Sequence, residues 1–269
     1  MGNNGPGAII KVMNRRYALF ALAAAPFVAT MAQGEVPQPF KVSMLSGGQD
    51  GDIWQAGILV ELEPDWKTYW RVPGDTGIPP QFDWAGSKNS AAIEVGFPIP
   101  SRFQDAGGES IGYHGQVLFP VSVKPVKLDE MVDLRLNLFF AVCKEICIPA
   151  KAGAELLLNS SASSAVLNDW QKRVPRLAVA GDTPFVTAVR FEMRQNKPML
   201  VVSLTGQATD IFVESETSAY FGKPQFDGAT GEAWLPIANL SDSAKLRGVP
   251  LKLTLSTGDS GIEQTLVIT

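Results

Sequence analysis

Two cysteines occur in the chain, Cys143 and Cys147, both in the stretch FFAVCKEICIPAKA at residues 139–152. Three kinds of chemistry use two thiols held three residues apart. A structural disulfide would close a very short loop, and so short a loop removes little chain entropy, about 2 kcal/mol in the entropic picture. A metal clip would need further donors, because soft thiolates select Cu(I) and Zn(II) takes four ligands. The sequence offers His114 as its one histidine and Met193 and Met199 elsewhere, with no paired-ligand motif, so no metal site is expected. A redox pair needs two thiols that join and part, one attacking a partner's disulfide and the other resolving the mixed disulfide. Lys144 beside Cys143 favours a thiolate and Glu145 opposes it. The redox reading accounts for the pattern best, with a copper-binding pair or an inert staple as its alternatives. No phosphate-cradling glycine motif, nucleophile elbow or paired-carboxylate pattern is present, so hydrolase chemistry has no support and no cofactor is expected.

The elements that must position the cysteines read as strands. AGILVELE (56–63), WKTYWRV (66–72), AAIEVGF (91–97), QVLFPVSV (116–123), VDLRLNLFFAV (132–142) and AELLLNS (154–160) are rich in β-branched and aromatic residues with period-two stretches. VPGDTGIPP (72–80) and FQDAGGESIGYHG (103–115) are dense in turn formers and read as connections. Many strands without alternating helices predict an all-β chain built as an antiparallel sandwich. Within WKTYWRV, Trp66 and Trp70 share one strand face, expected to pack the core, and Tyr69 takes the other. His114, in GYHG, reads as a turn or surface residue.

One segment, SSAVLNDWQKRVP (163–175), reads as a helix, with a serine cap and apolar residues at 166, 167, 170 and 174. RLAVAGDTPF (176–185) reads as a linker, and the remainder is again strand and turn. The expected organisation is a signal peptide (1–32), a first sandwich domain (33–162), a helix and linker (163–180) and a second sandwich domain (181–269).

Residues 1–32 carry Lys11, Arg15 and Arg16, then the apolar run YALFALAAAPFVAT, which is the pattern of an export signal. Without those three of its 23 Lys and Arg, the chain keeps 20 basic against 27 acidic side chains, a net charge of −7. An acidic exported protein is not expected to bind nucleic acid. No later run is apolar enough to span a bilayer, so a periplasmic chain without its own transmembrane span is expected. In such an oxidising compartment a nearby thiol pair stays reduced only if electrons are supplied.

Three separated motifs, DWKTYWRVPGDTGIPPQFDW, PSRFQDAGGESIGYHGQVLFPV and FFAVCKEICIPAKAGAEL, resemble the N-terminal periplasmic domain of the thiol:disulfide interchange protein DsbD, and more closely its ScsB relatives linked to copper tolerance. The likeness covers roughly residues 40–160, and the region after 180 is similar to the second immunoglobulin-like domain of ScsB proteins. The resemblance implies two tandem immunoglobulin-like domains, the first receiving electrons from a membrane-embedded thiol domain and passing them to periplasmic thioredoxin-like proteins. It also implies that Cys147 forms the mixed disulfide and Cys143 resolves it. A loop shielding the pair falls by position around Phe103 and Asp105, and Tyr69 aligns with an aromatic lining the site. The three-residue spacing is shorter than in the best-known members. The chain ends at Thr269 without a membrane domain, so the electron donor is expected to be encoded separately or replaced by another reductant.

Overall fold

The computed structural model describes residues 38–74, 77–105, 108–158, 164–240 and 246–268, with the backbone alone at Asp105. The predicted export signal lies outside the described residues. Among the described residues ten strands precede the helix: β1 (Phe40–Asp50), β2 (Ile53–Leu62), β3 (Lys67–Gly74), β4 (Gln81–Asp83), β5 (Ala92–Val95), β6 (Ser101–Asp105), β7 (Gly108–His114), β8 (Gln116–Lys124), β9 (Val132–Cys143) and β10 (Cys147–Leu158). They form two sheets, one ordered β1-β2-β8-β5 and the other β10-β9-β3-β7-β6, with β4 added to β9. The core lies between the sheets. Strand β9 shows why: Val132, Leu134, Leu136, Leu138 and Phe140 are all buried, while Arg135 and Asn137 between them are exposed.

Helix α1 (Ala165–Gln171) begins where the Ser164 Oγ accepts the Leu167 N–H at 3.3 Å, as an N-cap should. Leu167 is its fully buried residue, and it docks where β1 and β2 present glycines. A Cβ on Gly47 would stand 2.3 Å from Leu167 Cδ2, and one on Gly57 2.9 Å from Leu167 Cδ1. Beyond the helix come β11 (Arg176–Leu177), β12 (Phe185–Arg194), β13 (Lys197–Thr205), β14 (Asp210–Ser215), β15 (Tyr220–Phe221), β16 (Gln225–Asp227), β17 (Glu232–Ala238), β18 (Pro250–Ser256) and β19 (Gly261–Val267). These form a β11-β19-β18-β14 sheet and a β12-β13-β17-β15 sheet, with β16 on β17. A second cluster of buried side chains, including Leu200, Val202, Leu235 and Leu253, fills the space between them. The expected all-β, antiparallel architecture is what forms.

Two readings need correction. Residues 103–115, expected as a connection, lie mostly in the β6–β7 hairpin. Gly112 there serves close backbone approach rather than turning: a Cβ on it would stand 1.9 Å from the Thr68 carbonyl oxygen of β3, whereas Gly115, at φ +68°, does turn the chain between β7 and β8. The expected linker also contains β11, which pairs parallel with β19.

Strand β14 joins the two sandwiches by strict alternation. Ile211 and Val213 enter the second core, while Asp210, Phe212 and Glu214 face the first sandwich. Phe212, 1% exposed, belongs to the first core, its ring centroid 5.4 Å from that of Trp70. Arg102 Nε donates to Asp210 Oδ2 at 3.0 Å and Arg71 Nη2 to Glu214 Oε1 at 2.7 Å, and Arg71 also pairs with Glu263. Tyr220 donates to Glu109 across the same boundary. Burial raises the Asp210 carboxyl pKa from its ordinary value, against the pull of the Arg102 guanidinium. Buried charges tolerate this only when paired, and the pairing here fixes β3 and β6 to the second sandwich.

Truncating the shared ring tests this packing. Phe212→Ala is expected to cost about 3–5 kcal/mol, as for other fully buried phenylalanines, in urea unfolding. A loss below about 1 kcal/mol would show that the ring is not a core element.

Candidate functional site

The β9–β10 hairpin runs in unbroken antiparallel register from Val132↔Leu158 to Cys143↔Cys147. The two cysteines are therefore the last opposed pair before a turn of Lys144, Glu145 and Ile146. They are joined as a disulfide, with Cα atoms 4.2 Å apart. Their surroundings differ sharply. Cys143 is 3% exposed and packs with Tyr69, Ala141 and Ile78, whereas Cys147 is exposed on the edge strand. The rim beside it is apolar: Ile146 is 74% exposed and Ile148 is also exposed. Lys144 at the turn pairs with Asp65 at 3.1 Å in solvent.

Strand β3 lies on the other side of β9. Lys67 opposes Cys143 and Thr68 opposes Val142, and the Thr68 hydroxyl donates to the Ala141 carbonyl at 2.9 Å. Alternation then sends Trp70 into the core and Tyr69 to the opposite face, the parity read from the sequence. Trp66 packs partly buried against the core. The Tyr69 hydroxyl donates to Cys143 Sγ at 2.9 Å and lies 3.2 Å from Cys147 Sγ. Its ring is 1% exposed, and the backbone of residue 77 covers it: a Cβ on Gly77, whose φ is +137°, would stand 2.5 Å from Tyr69 Cε1. A phenol placed this way donates to whichever sulfur carries negative charge when the bond opens.

Phe103 does not sit in a loop but on β6, and its ring meets His114 edge-on at 4.2 Å, with Lys67 Nζ 5.8 Å from its centroid. It thus covers the lysine next to Cys143. Asp105 ends the same strand, and its side chain lies outside the described residues. His114 opposes Lys67 on β7, so β3 stands between it and Cys143; its Nδ1 is 3.1 Å from the Trp66 carbonyl oxygen. Among the described residues no group of three or more His, Cys, Asp or Glu is placed to hold a metal. No helix there is long and apolar enough to cross a membrane.

Lys67 is the site neighbour that sequence reasoning missed. A lysine in a strand reads as solvent-facing, yet Lys67 is 5% exposed and its Nζ donates to the buried Ser110 Oγ at 2.8 Å. The available signal was its two-residue spacing from Tyr69, which puts both on one face.

Residues 33–159 match the family described as "Thiol:disulfide interchange protein DsbD, N-terminal", and residues 173–269 match "Domain of unknown function (DUF8393)". Among solved structures, the N-terminal periplasmic domain of ScsB from Proteus mirabilis aligns with a TM-score of 0.63 and 23% identity, covering 85% of this chain and 91% of that one. A YadV chaperone aligns with a TM-score of 0.23 and 7% identity, over 84% of this chain and 99% of that one. No curated protein matches the chain.

The unequal burial of the sulfurs has a direct chemical readout. After reduction under native conditions, Cys147 is expected to alkylate at least roughly tenfold faster than Cys143 in peptide-mapped differential labelling, since access and thiolate character set the rate. Equal rates would contradict the asymmetry.

Proposed function

We propose, from the match of residues 33–159 to the DsbD N-terminal family, that this chain is a periplasmic thiol–disulfide interchange protein relaying electrons through Cys143 and Cys147. The observation that carries the reading is a cross-strand disulfide with one sulfur exposed on an edge and the other buried beneath a tyrosine hydroxyl. A structural staple gains nothing from such asymmetry, whereas an exchange pair uses it. Residues 33–162 form the redox domain in this reading, residues 163–180 connect, and residues 181–269 form a second domain that holds β3 and β6 in place.

The reaction proceeds in two displacements. In the reduced state the Cys147 thiolate attacks one sulfur of a partner's disulfide, forming a mixed disulfide and releasing the partner's other sulfur as a thiolate. The Cys143 thiolate then attacks Cys147 Sγ, which forms the Cys143–Cys147 bond and frees the partner's second thiolate. Two electrons pass to the partner. A membrane-embedded thiol donor, approaching the exposed Cys147 in turn, reverses these displacements and restores the dithiol. Ile146 and Ile148 provide an apolar rim on which thioredoxin-like partners dock. The dithiol carries the electrons itself, so no cofactor is involved.

Serine variants separate the two cysteines. With an oxidised thioredoxin-like protein as partner, Cys143→Ser is expected to accumulate a mixed disulfide that survives non-reducing electrophoresis, and Cys147→Ser to form none. Equal trapping by both variants would reverse or abolish the assigned roles.

A further inference from the structure

Strand register carries the face of the disulfide along the sheet, since every second residue returns to the same side. Four residues from the Cys143↔Cys147 rung that face holds Phe139 opposite Lys151, with Gln81 of β4 on the other side of Phe139. Two residues further it holds Asn137 opposite Gly153, with Asp83 of β4 beside Asn137. These six line a groove of about 480 Å³. Phe139 is half-buried and forms its floor, while Gln81 and Asp83 on one wall and Lys151 on the other are exposed.

Nothing in the fold requires glycine at 153. A Cβ there would meet only the Leu136 carbonyl oxygen, at 3.8 Å, which is ordinary contact. A glycine inside a strand weakens it and often marks a place where another backbone or a ligand comes close. Distance ties the groove to the disulfide. Phe139 lies about 14 Å along β9 from Cys143 at about 3.4 Å per residue. A partner bonded to Cys147 is pinned to this end of the hairpin, and a standard interface covers about 800 Å² of each protein, a patch roughly 16 Å in radius. The hairpin ends at Lys144–Ile146, so along these strands the face extends from the disulfide only towards the groove. The groove's walls carry opposite charges, Lys151 on β10 and Asp83 on β4, whose Oδ1 also accepts the Ala85 N–H at 3.0 Å. With the amides of Gln81 and Asn137 they offer donors and acceptors for an extended main chain, and Phe139 offers a ring for an apolar side chain.

We propose that this groove is the docking subsite for the oxidised thioredoxin-like partner: an extended segment of the partner lies along β9, with an apolar side chain on Phe139 where Gly153 leaves room, while the partner's disulfide meets Cys147. This rests on the relay reading above. The bond chemistry is that of the first displacement: the Cys147 thiolate attacks one partner sulfur, the bond between them forms, and the partner's other sulfur leaves as a thiolate. The groove contributes orientation and choice of substrate. A protein disulfide that fills it is held at Cys147, whereas a small disulfide such as oxidised glutathione reaches Cys147 without it.

The test compares a protein disulfide with a small one. In the Cys143→Ser protein, which keeps the first displacement and lacks the second, the rate of mixed-disulfide formation is measured with oxidised thioredoxin and with oxidised glutathione. Adding Gly153→Phe places a ring within diagonal reach of Phe139 and fills the groove. It is expected to slow the reaction with thioredoxin roughly tenfold, the loss typical of a blocked interface anchor, and to leave the glutathione rate unchanged. Asn137→Trp fills the same groove from an exposed position on the facing strand and is expected to give the same split; where Gly153→Phe does not fold, this variant decides alone. Folded variants that react with thioredoxin as fast as their parent overturn the proposal, and so do variants slowed equally with both disulfides, because the new ring then acts on Cys147 itself. If the parent protein reacts with glutathione and forms no mixed disulfide with thioredoxin, the relay reading fails, and the groove's role fails with it.

Discussion

Strand β3 is buried on both of its faces, and that constraint organises the molecule. A strand projects successive side chains to opposite sides, so in four residues β3 gives Trp70 to the sandwich core and Lys67 and Tyr69 to the opposite face, where Tyr69 meets the disulfide and Lys67 meets Ser110. A strand with only one covered face would leave those two side chains in water, where the charge of one is screened and the hydrogen bond of the other competes with solvent. Here β9 lies on one side, β7 on the other, and Phe103 of β6 reaches back across. The disulfide is thus half in the protein and half out of it: Cys143 shares the covered face, and Cys147, across the last rung of the hairpin, meets solvent at the edge.

The second sandwich contributes to the same constraint. Arg71 follows Tyr69 by two residues and is held by Glu214 and Glu263, while Arg102, next to Phe103, is held by Asp210 and Glu109. Phe212 seals the space between these pairs. Removing one member of such a buried network leaves an uncompensated charge, which costs more than the pair itself contributes. The elements that cover the site are therefore anchored by residues far along the chain, and their position does not depend on the β9–β10 hairpin alone.

Much of this was legible in the sequence wherever one physical signal acted alone. The alternation of VDLRLNLFFAVC marks a strand that is buried on one side and wet on the other, and it is one. Tyr69 was separable from Trp66 and Trp70 by parity, since period two is insensitive to tertiary context. Residues 101–114 were obscured because glycines and polar residues read as turn, although Gly112 is there to admit the Thr68 carbonyl of a neighbouring strand. TDIFVES showed its apolar residues, yet the partners of Asp210 and Glu214 are arginines more than 100 positions away. Lys67 was missed for the same reason: its covering ring and its hydrogen-bond acceptor come from β6 and β7, and only the folded sheet brings them together.

An electron relay needs the Cys143–Cys147 bond to open and close in function, and the reduction potential of that bond tests this most directly. Equilibrating the protein with glutathione or dithiothreitol buffers, followed by quantitative alkylation, gives the value. An electron relay requires a potential between those of thioredoxin and the periplasmic isomerases, roughly −270 to −180 mV. A potential well below about −300 mV would mean a bond that the compartment never reduces, and would contradict the relay.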